Sequence, residues 1–219
     1  MQRQITLSEL EQTNEKFFDF WSRFYDKKGF FSRFLFNIVY KTIKSINIKQ
    51  GSKILDVGCG TGNLLYLLER QKKNFKLYGI DISEKMLEVA EKKLNNVSLI
   101  RTSVFNLDKK FKNNFDYIFV VDVFHHIPEQ EKTTKKFHRL LKNNGKLIIT
   151  DFDFGKTFNY IFHVIEPGNS GLNNKKQMKT LFIKSGFFVE KQKKLGLFSI
   201  MTVGIKMKNK YKNGKQNNS

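Results

Sequence analysis

Lys53-Ile54-Leu55-Asp56-Val57-Gly58-Cys59-Gly60-Thr61-Gly62 decides how this chain is read. Lys53–Val57 is a short apolar run with one acid, the pattern of a buried strand. Three glycines follow at alternate positions, and helical periodicity then runs from about Thr61 to Gln71. Glycine tolerates positive φ and, lacking a Cβ, lets a ligand touch the backbone. A dinucleotide fingerprint G-x-G-x-x-G would place its third glycine at 63, but that residue is Asn63 and the glycine stands at 62. Asp56 sharpens the distinction. A carboxylate just before the loop accepts a hydrogen bond from a cationic amino group and repels a pyrophosphate. The plainer reading is a tight structural turn with an incidental acid.

Downstream, strand and helix signals alternate. Strands are expected at Leu77–Ile82, Val97–Arg101, Phe115–Val121 and Lys146–Thr150. Ser83 is placed to cap a helix reaching about Leu94. Pro128 and Glu129 open another helix to about Leu141, with Asn143-Asn144-Gly145 as its left-handed stop. A helix over about Lys175–Ser185 precedes two strands, Phe187–Gln192 and Leu197–Lys206, that meet near Gly196 as a hairpin. This alternation predicts an α/β protein: a Rossmann-like, doubly wound, mostly parallel seven-stranded sheet with a C-terminal antiparallel hairpin. In such sheets ligands bind at the carboxyl ends of the strands. The glycine loop falls at one of those ends, as do the acids and histidines that follow later strands.

Before this core, residues 17–36 crowd eight Phe, the single Trp and Tyr25 around Lys27-Lys28-Gly29, and Phe31–Ile46 reads as an amphipathic helix. The expected organisation is an aromatic helical lid over 1–50, a ligand-binding domain over 51–206 with an acceptor-site insertion at 152–174, and a disordered basic tail over 207–219.

Forty Lys and Arg against 20 Asp and Glu leave a formal charge of +20 on 219 residues. Residues 152–219 hold 13 Lys against three acids. A solvated lysine-rich surface accounts for this; attraction to RNA, a phosphorylated substrate or a membrane surface is the sharper alternative. Only six of the bases are Arg, which disfavours an RNA-stacking surface. No apolar run approaches the roughly 18 residues of a membrane span, and residues 1–16 are too polar for a secretory signal. One cysteine excludes an intrachain disulfide. The expectation is a soluble, cytoplasmic protein.

Asp81 ends the second strand 19 residues beyond Gly62. A carboxylate at that strand tip is placed to hold both hydroxyls of a ribose, or, more plainly, to cap the next helix. In order and spacing, ILDVGCGTG, LYGIDIS, FDYIFVVDVFHHIP and LLKNNGKLIITDF resemble the class I S-adenosylmethionine-dependent methyltransferases, closest to the small-molecule group of ubiquinone/menaquinone-type enzymes. The resemblance covers roughly Tyr25 to Lys206. It implies S-adenosyl-L-methionine as cofactor and S-adenosyl-L-homocysteine as product. Asp56, Gly58, Cys59, Gly60 and Gly62 would hold the methionine end, Asp81 the ribose, and Ile82 would pack on the adenine. Tyr25-Asp26 resembles the Tyr-Asp pair of the group's amino-terminal lid, whose tyrosine closes over the cofactor.

The chain departs from the family after the third strand. An Asp often bonds the adenine amino group there; this sequence has Ser103 and then Val104, and recognition falls to the Ser103 hydroxyl and the Val104 amide. The fourth strand ends in Asp122, counted with the cofactor contacts, and leads to His125 and His126. That loop lies beside the transferable methyl group in this fold, so either histidine is a candidate base or substrate orienter. Methyl transfer often needs little beyond alignment and a deprotonated acceptor, so the enzyme can also work without a dedicated base. Asp122, Asp151 and Asp153 could pair around Mg²⁺ as in catechol-type enzymes, but Phe152 replaces the usual Asn, and no metal is expected.

The resemblance also lacks the Asn/Asp-Pro-Pro-aromatic motif of adenine amino-methylating enzymes, and Cys59 is consumed by the loop. The leading reading is methyl transfer to a small, apolar or lipid- or quinone-like acceptor. Its pocket would be built from Phe17, Phe18, Trp21, Tyr25 and Phe30 with residues of 152–174. An RNA-directed methyltransferase and a non-catalytic cofactor-binding module are the alternatives. Weak membrane contact through the aromatic segment is a further one, and no oligomeric state is readable.

Overall fold

The computed structural model describes residues 6–25, 29–107, 111–112, 114–155 and 170–208. Two helices come first, α1 (Leu7–Tyr25) and α2 (Phe30–Lys44). The core follows as β1 (Lys53–Val57), α3 (Asn63–Glu69), β2 (Lys76–Asp81), α4 (Glu84–Glu91), β3 (Val97–Arg101) and β4 (Phe115–Val121). It ends with α5 (Gln130–Leu140), β5 (Leu141–Phe152), α6 (Lys175–Lys184), β6 (Phe188–Lys194) and β7 (Ser199–Ile205).

The seven strands form one sheet in the order β3-β2-β1-β4-β5-β7-β6. The first five run parallel, β7 pairs antiparallel with β5, and β6 pairs antiparallel with β7. This is the expected Rossmann-like architecture, hairpin included. Side chains alternate across a strand, and here both faces are covered. Leu55, Ile118, Val120, Leu147 and Ile149 join one core with Phe137, Leu140, Met178 and Phe182 from α5 and α6. Ile54, Phe119 and Ile148 join the other with Ile43, Leu64, Leu65 and Leu68 from α2 and α3. Near-continuous apolar strands are the consequence of burial on two sides. One of the two edge strands, β6, reads Phe-Val-Glu-Lys-Gln-Lys-Lys and is largely exposed; lysines on such an edge oppose pairing with another chain.

Local signals behave as their chemistry dictates. Ser83 caps α4 by accepting the Met86 amide at 3.1 Å, and Asn174 with Gln177 forms a capping box on α6. The Asn143–Gly145 stop is different. The helix ends at Leu140, and Leu141 already pairs with Phe115 of β4. Asn144 alone is left-handed, at φ 64°, beside the irregularity between Phe115 and Tyr117 where the register shifts. Tertiary pairing takes those residues into β5 before a free turn forms. The expected tail lies outside the described residues from 209 onward, and the insertion does so over 156–169.

Candidate functional site

The chain leaves β1 at Val57 through three left-handed glycines, Gly58, Gly60 and Gly62, at φ 65°, 52° and 77°. They play different parts. A Cβ on Gly58 would meet Val123 Cγ2 at 2.6 Å, and one on Gly62 would meet Leu94 Cδ1 at 2.8 Å. Both are positions of close packing. A Cβ on Gly60 would meet nothing within 4 Å, because that side of the loop opens into a cavity.

This cavity, about 1100 Å³ including its mouth, crosses the carboxyl ends of β4, β1, β2 and β3. Its floor contains Asp56, Gly58, Cys59, Gly60, Asp81, Ile82, Ser103, Val104 and Asp122, all expected from the sequence. Gly62 lies behind it, at the N-cap of α3 against Ala90 and Leu94. It shapes the loop and does not line the cavity. The side chain of Tyr25 lies outside what the structure describes.

Asp81 organises the floor. Its Oδ2 accepts the Gly60 amide at 2.7 Å and its Oδ1 the Ser83 amide at 2.9 Å. Burial raises its carboxyl above the ordinary range; the amides of Ser83, Gly60 and Ile82 work against that rise, and the charge of Asp19 adds to it. Asp56 is more strongly affected. It is 3% exposed, and burial, with the Asp81 charge second, pushes its carboxyl well above the carboxylate range. A cationic partner would relieve that penalty. Burial first, and then the charges of Asp81 and Asp56, likewise hold Cys59 as a neutral thiol, an apolar wall and no nucleophile.

The histidines part company. His126 lines the cavity, its ring 4.9 Å from the Phe18 ring at an interplanar angle of 79°. His125 is not among the lining residues. Its Nδ1 lies 2.6 Å from Asp151 Oδ1, its amide donates to Oδ2 at 2.9 Å, and both side chains are buried. Oδ1 of Asp151 also accepts the Phe152 amide at 2.9 Å. Rather than facing a magnesium ion, this carboxylate anchors the loop after β4 to the end of β5. Among the described residues no three His, Cys, Asp or Glu side chains gather as a metal site. Asp122 turns the chain out of β4 in the left-handed region, at φ 58°, a conformation Asp tolerates better than most residues.

A helical lid over 1–50 with an aromatic lining is among the sequence expectations; the polar residues that α1 brings to the site are not. Residues 1–16 carry no site expectation beyond their place in that lid, yet Glu11 and Asn14 of α1 line the cavity beside the expected Phe18. Their spacing of three and four puts them on one helix face, a signal present in the sequence. Polar contacts fasten that helix across the strand tips. Ser103 Oγ donates to Glu11 Oε1. Asn14 donates to the His126 carbonyl at 3.1 Å, Arg101 to Glu15 at 2.6 Å, and Ser83 Oγ to Asp19 at 2.5 Å. From α2, Leu35 and Val39 add apolar walls. Of the aromatic residues expected in the pocket, Phe18 lines it and Phe17 packs on Phe18, Trp21 and His126. Trp21 is 37% exposed, and the side chain of Phe30 lies outside the described residues.

A mostly parallel sheet in this order, closed by an antiparallel hairpin, with a glycine loop and two buried acids at adjacent strand tips, has the Rossmann-like methyltransferase architecture. Residues 48–200 match the family model of a methyltransferase domain, and the chain belongs to that family. It is 29% identical over 168 residues to the demethylmenaquinone methyltransferase of Staphylococcus epidermidis, covering 71% of this chain and 69% of that one. Among solved structures, a SAM-dependent methyltransferase from Aquifex aeolicus superposes with a TM-score of 0.69 at 23% identity, covering 85% of this chain and 97% of that one. Phosphoethanolamine N-methyltransferase 2 of Haemonchus contortus, solved with phosphomonomethylethanolamine and S-adenosylhomocysteine, superposes with a TM-score of 0.64 at 18% identity, covering 78% and 53%. These two likenesses are of fold. No helix among the described residues is long and apolar enough to cross a membrane.

Proposed function

We propose that this methyltransferase uses S-adenosylmethionine and transfers its methyl group to a small, largely apolar acceptor of quinone or lipid type. The observation that carries this reading is one cavity holding Asp56, the open face of Gly60 and Asp81 in a row, roofed by apolar residues of α1 and α2. The residues fit the cofactor. Buried Asp56 seeks a cation, Gly60 leaves room for a ligand against the backbone, and Asp81 keeps acceptor capacity for a ribose hydroxyl beyond its amide partners.

When bound, S-adenosylmethionine supplies a methyl group on a positively charged sulfur. Asp56 would hold its α-amino end and Asp81 its ribose. Phe18, Leu35, Val39, Val121, Ile127 and Pro128 enclose the acceptor side and exclude water. His126, packed against Phe18, orients the acceptor and takes its proton, while His125 and Asp151 hold the loop that carries His126. The demethylmenaquinone methyltransferase relative supports a quinone-like acceptor.

Calorimetric titration of the folded chain with S-adenosylmethionine tests the cofactor assignment, and a silent titration would refute it. Incubation with methyl-labelled cofactor and a panel of demethylated quinols, lipids and RNA tests the acceptor. Label in RNA alone would overturn the small-molecule reading, and S-adenosylhomocysteine formation would dismiss a non-catalytic module.

A further inference from the structure

The cavity continues past Asp81 to the tip of β3, where a nucleoside held by its ribose at β2 and by its tail at β1 must lay its base. That end has apolar walls from Ile82, Val104 and Phe105, and its polar side chains include Ser103 and Glu11. An exocyclic amino group on a purine is a donor and needs an acceptor. Ser103 is poorly available for the task. Its hydroxyl hydrogen goes to Glu11 Oε1, and its oxygen already accepts the Phe105 amide at 3.2 Å. Glu11, in contrast, is acceptor-only when ionised, lines the same cavity, and has its second oxygen beyond the Ser103 bond.

We propose that Glu11, from helix α1, reads the 6-amino group of the adenine base, and that Ser103 positions it. This rests on the S-adenosylmethionine reading and replaces the direct role expected for Ser103. The specificity carboxylate comes from the roof, 92 residues before the strand tip it serves. Base recognition and the seating of α1 over the cavity are therefore one event. A 6-oxo base would turn an acceptor toward a carboxylate and leave both unpaired.

Calorimetry on the full chain with S-adenosylhomocysteine and its deaminated analogue S-inosylhomocysteine tests this assignment. Wild type is expected to prefer the amino form by at least about tenfold, the scale of one lost charged hydrogen bond. Glu11→Gln, whose amide can face either group, is expected to reduce the preference to within about threefold. Ser103→Asp in the Glu11→Gln background puts a carboxylate back at the same end and is expected to restore it. Binding of neither ligand to folded wild type would remove the cofactor reading and this one together. Binding of S-adenosylhomocysteine with equal acceptance of the 6-oxo analogue, or with full preference kept in Glu11→Gln, would overturn Glu11 alone.

Discussion

Asp81 Oδ2 and the amide of Gly60 are 2.7 Å apart, so the acid at the tip of β2 and the glycine loop after β1 form one rigid unit. The same carboxylate holds the start of α4 through the Ser83 amide. A ligand gripped by Asp81 is thereby registered against the loop without further adjustment.

Asp81→Ala is expected to weaken S-adenosylhomocysteine binding by roughly 1.5–3 kcal/mol, about 10- to 150-fold, as for a charged hydrogen-bond acceptor removed. Asp81→Asn, which keeps one acceptor oxygen, should fall between alanine and wild type. Calorimetry reads both, and equal affinity across the three proteins would refute the role.

Gly58→Ala and Gly60→Ala separate packing from ligand contact. Both impose a left-handed backbone on alanine, a strain of about 1 kcal/mol. Only the first adds a clash, with Val123, so Gly58→Ala should lower the melting temperature further. Gly60→Ala should stay folded and lose cofactor affinity by at least about tenfold, because its methyl fills space meant for ligand. Thermal denaturation alongside titration distinguishes the two outcomes.

The acids give a pH signature. A carboxyl raised in the folded state contributes stability that is fully present below its unfolded value and is lost as pH rises through the folded value. Asp56 and Asp81 are both raised, so the ligand-free protein carries this penalty at higher pH. A ligand with an ammonium group favours the ionised Asp56. Its affinity should therefore fall as pH drops through the raised value, by up to roughly tenfold per unit. Melting curves with and without S-adenosylhomocysteine between about pH 5 and 9 should show ligand stabilisation growing with pH. Asp56→Asn should flatten that growth.

His125 and His126 should fail differently. His125→Ala leaves Asp151 buried without its imidazole partner and is expected to cost about 3 kcal/mol of stability, a fall of roughly 6–12 °C in Tm for a chain of this size. His126→Gln should leave Tm and S-adenosylhomocysteine affinity near wild type while lowering kcat by about 10²-fold. An unchanged kcat would leave catalysis to alignment alone.

The order of strands and helices, the glycine loop, and Asp56 and Asp81 were legible in the chain because each is local. Apolar runs, turn glycines and caps act within a few residues, and a parallel sheet then places every strand tip on one edge. What joins those tips was not legible. Glu11 reaches Ser103, Asn14 reaches the carbonyl of His126, and Asp151 takes His125 away from the cavity. These partners lie 26 to 112 residues apart, and nothing in a polar N-terminal stretch says which strand it will cover. Sequence alone determined the floor of the site. Only tertiary packing decided which polar residues of the expected lid meet it, because a helix face acquires its meaning from the surface against which it is buried.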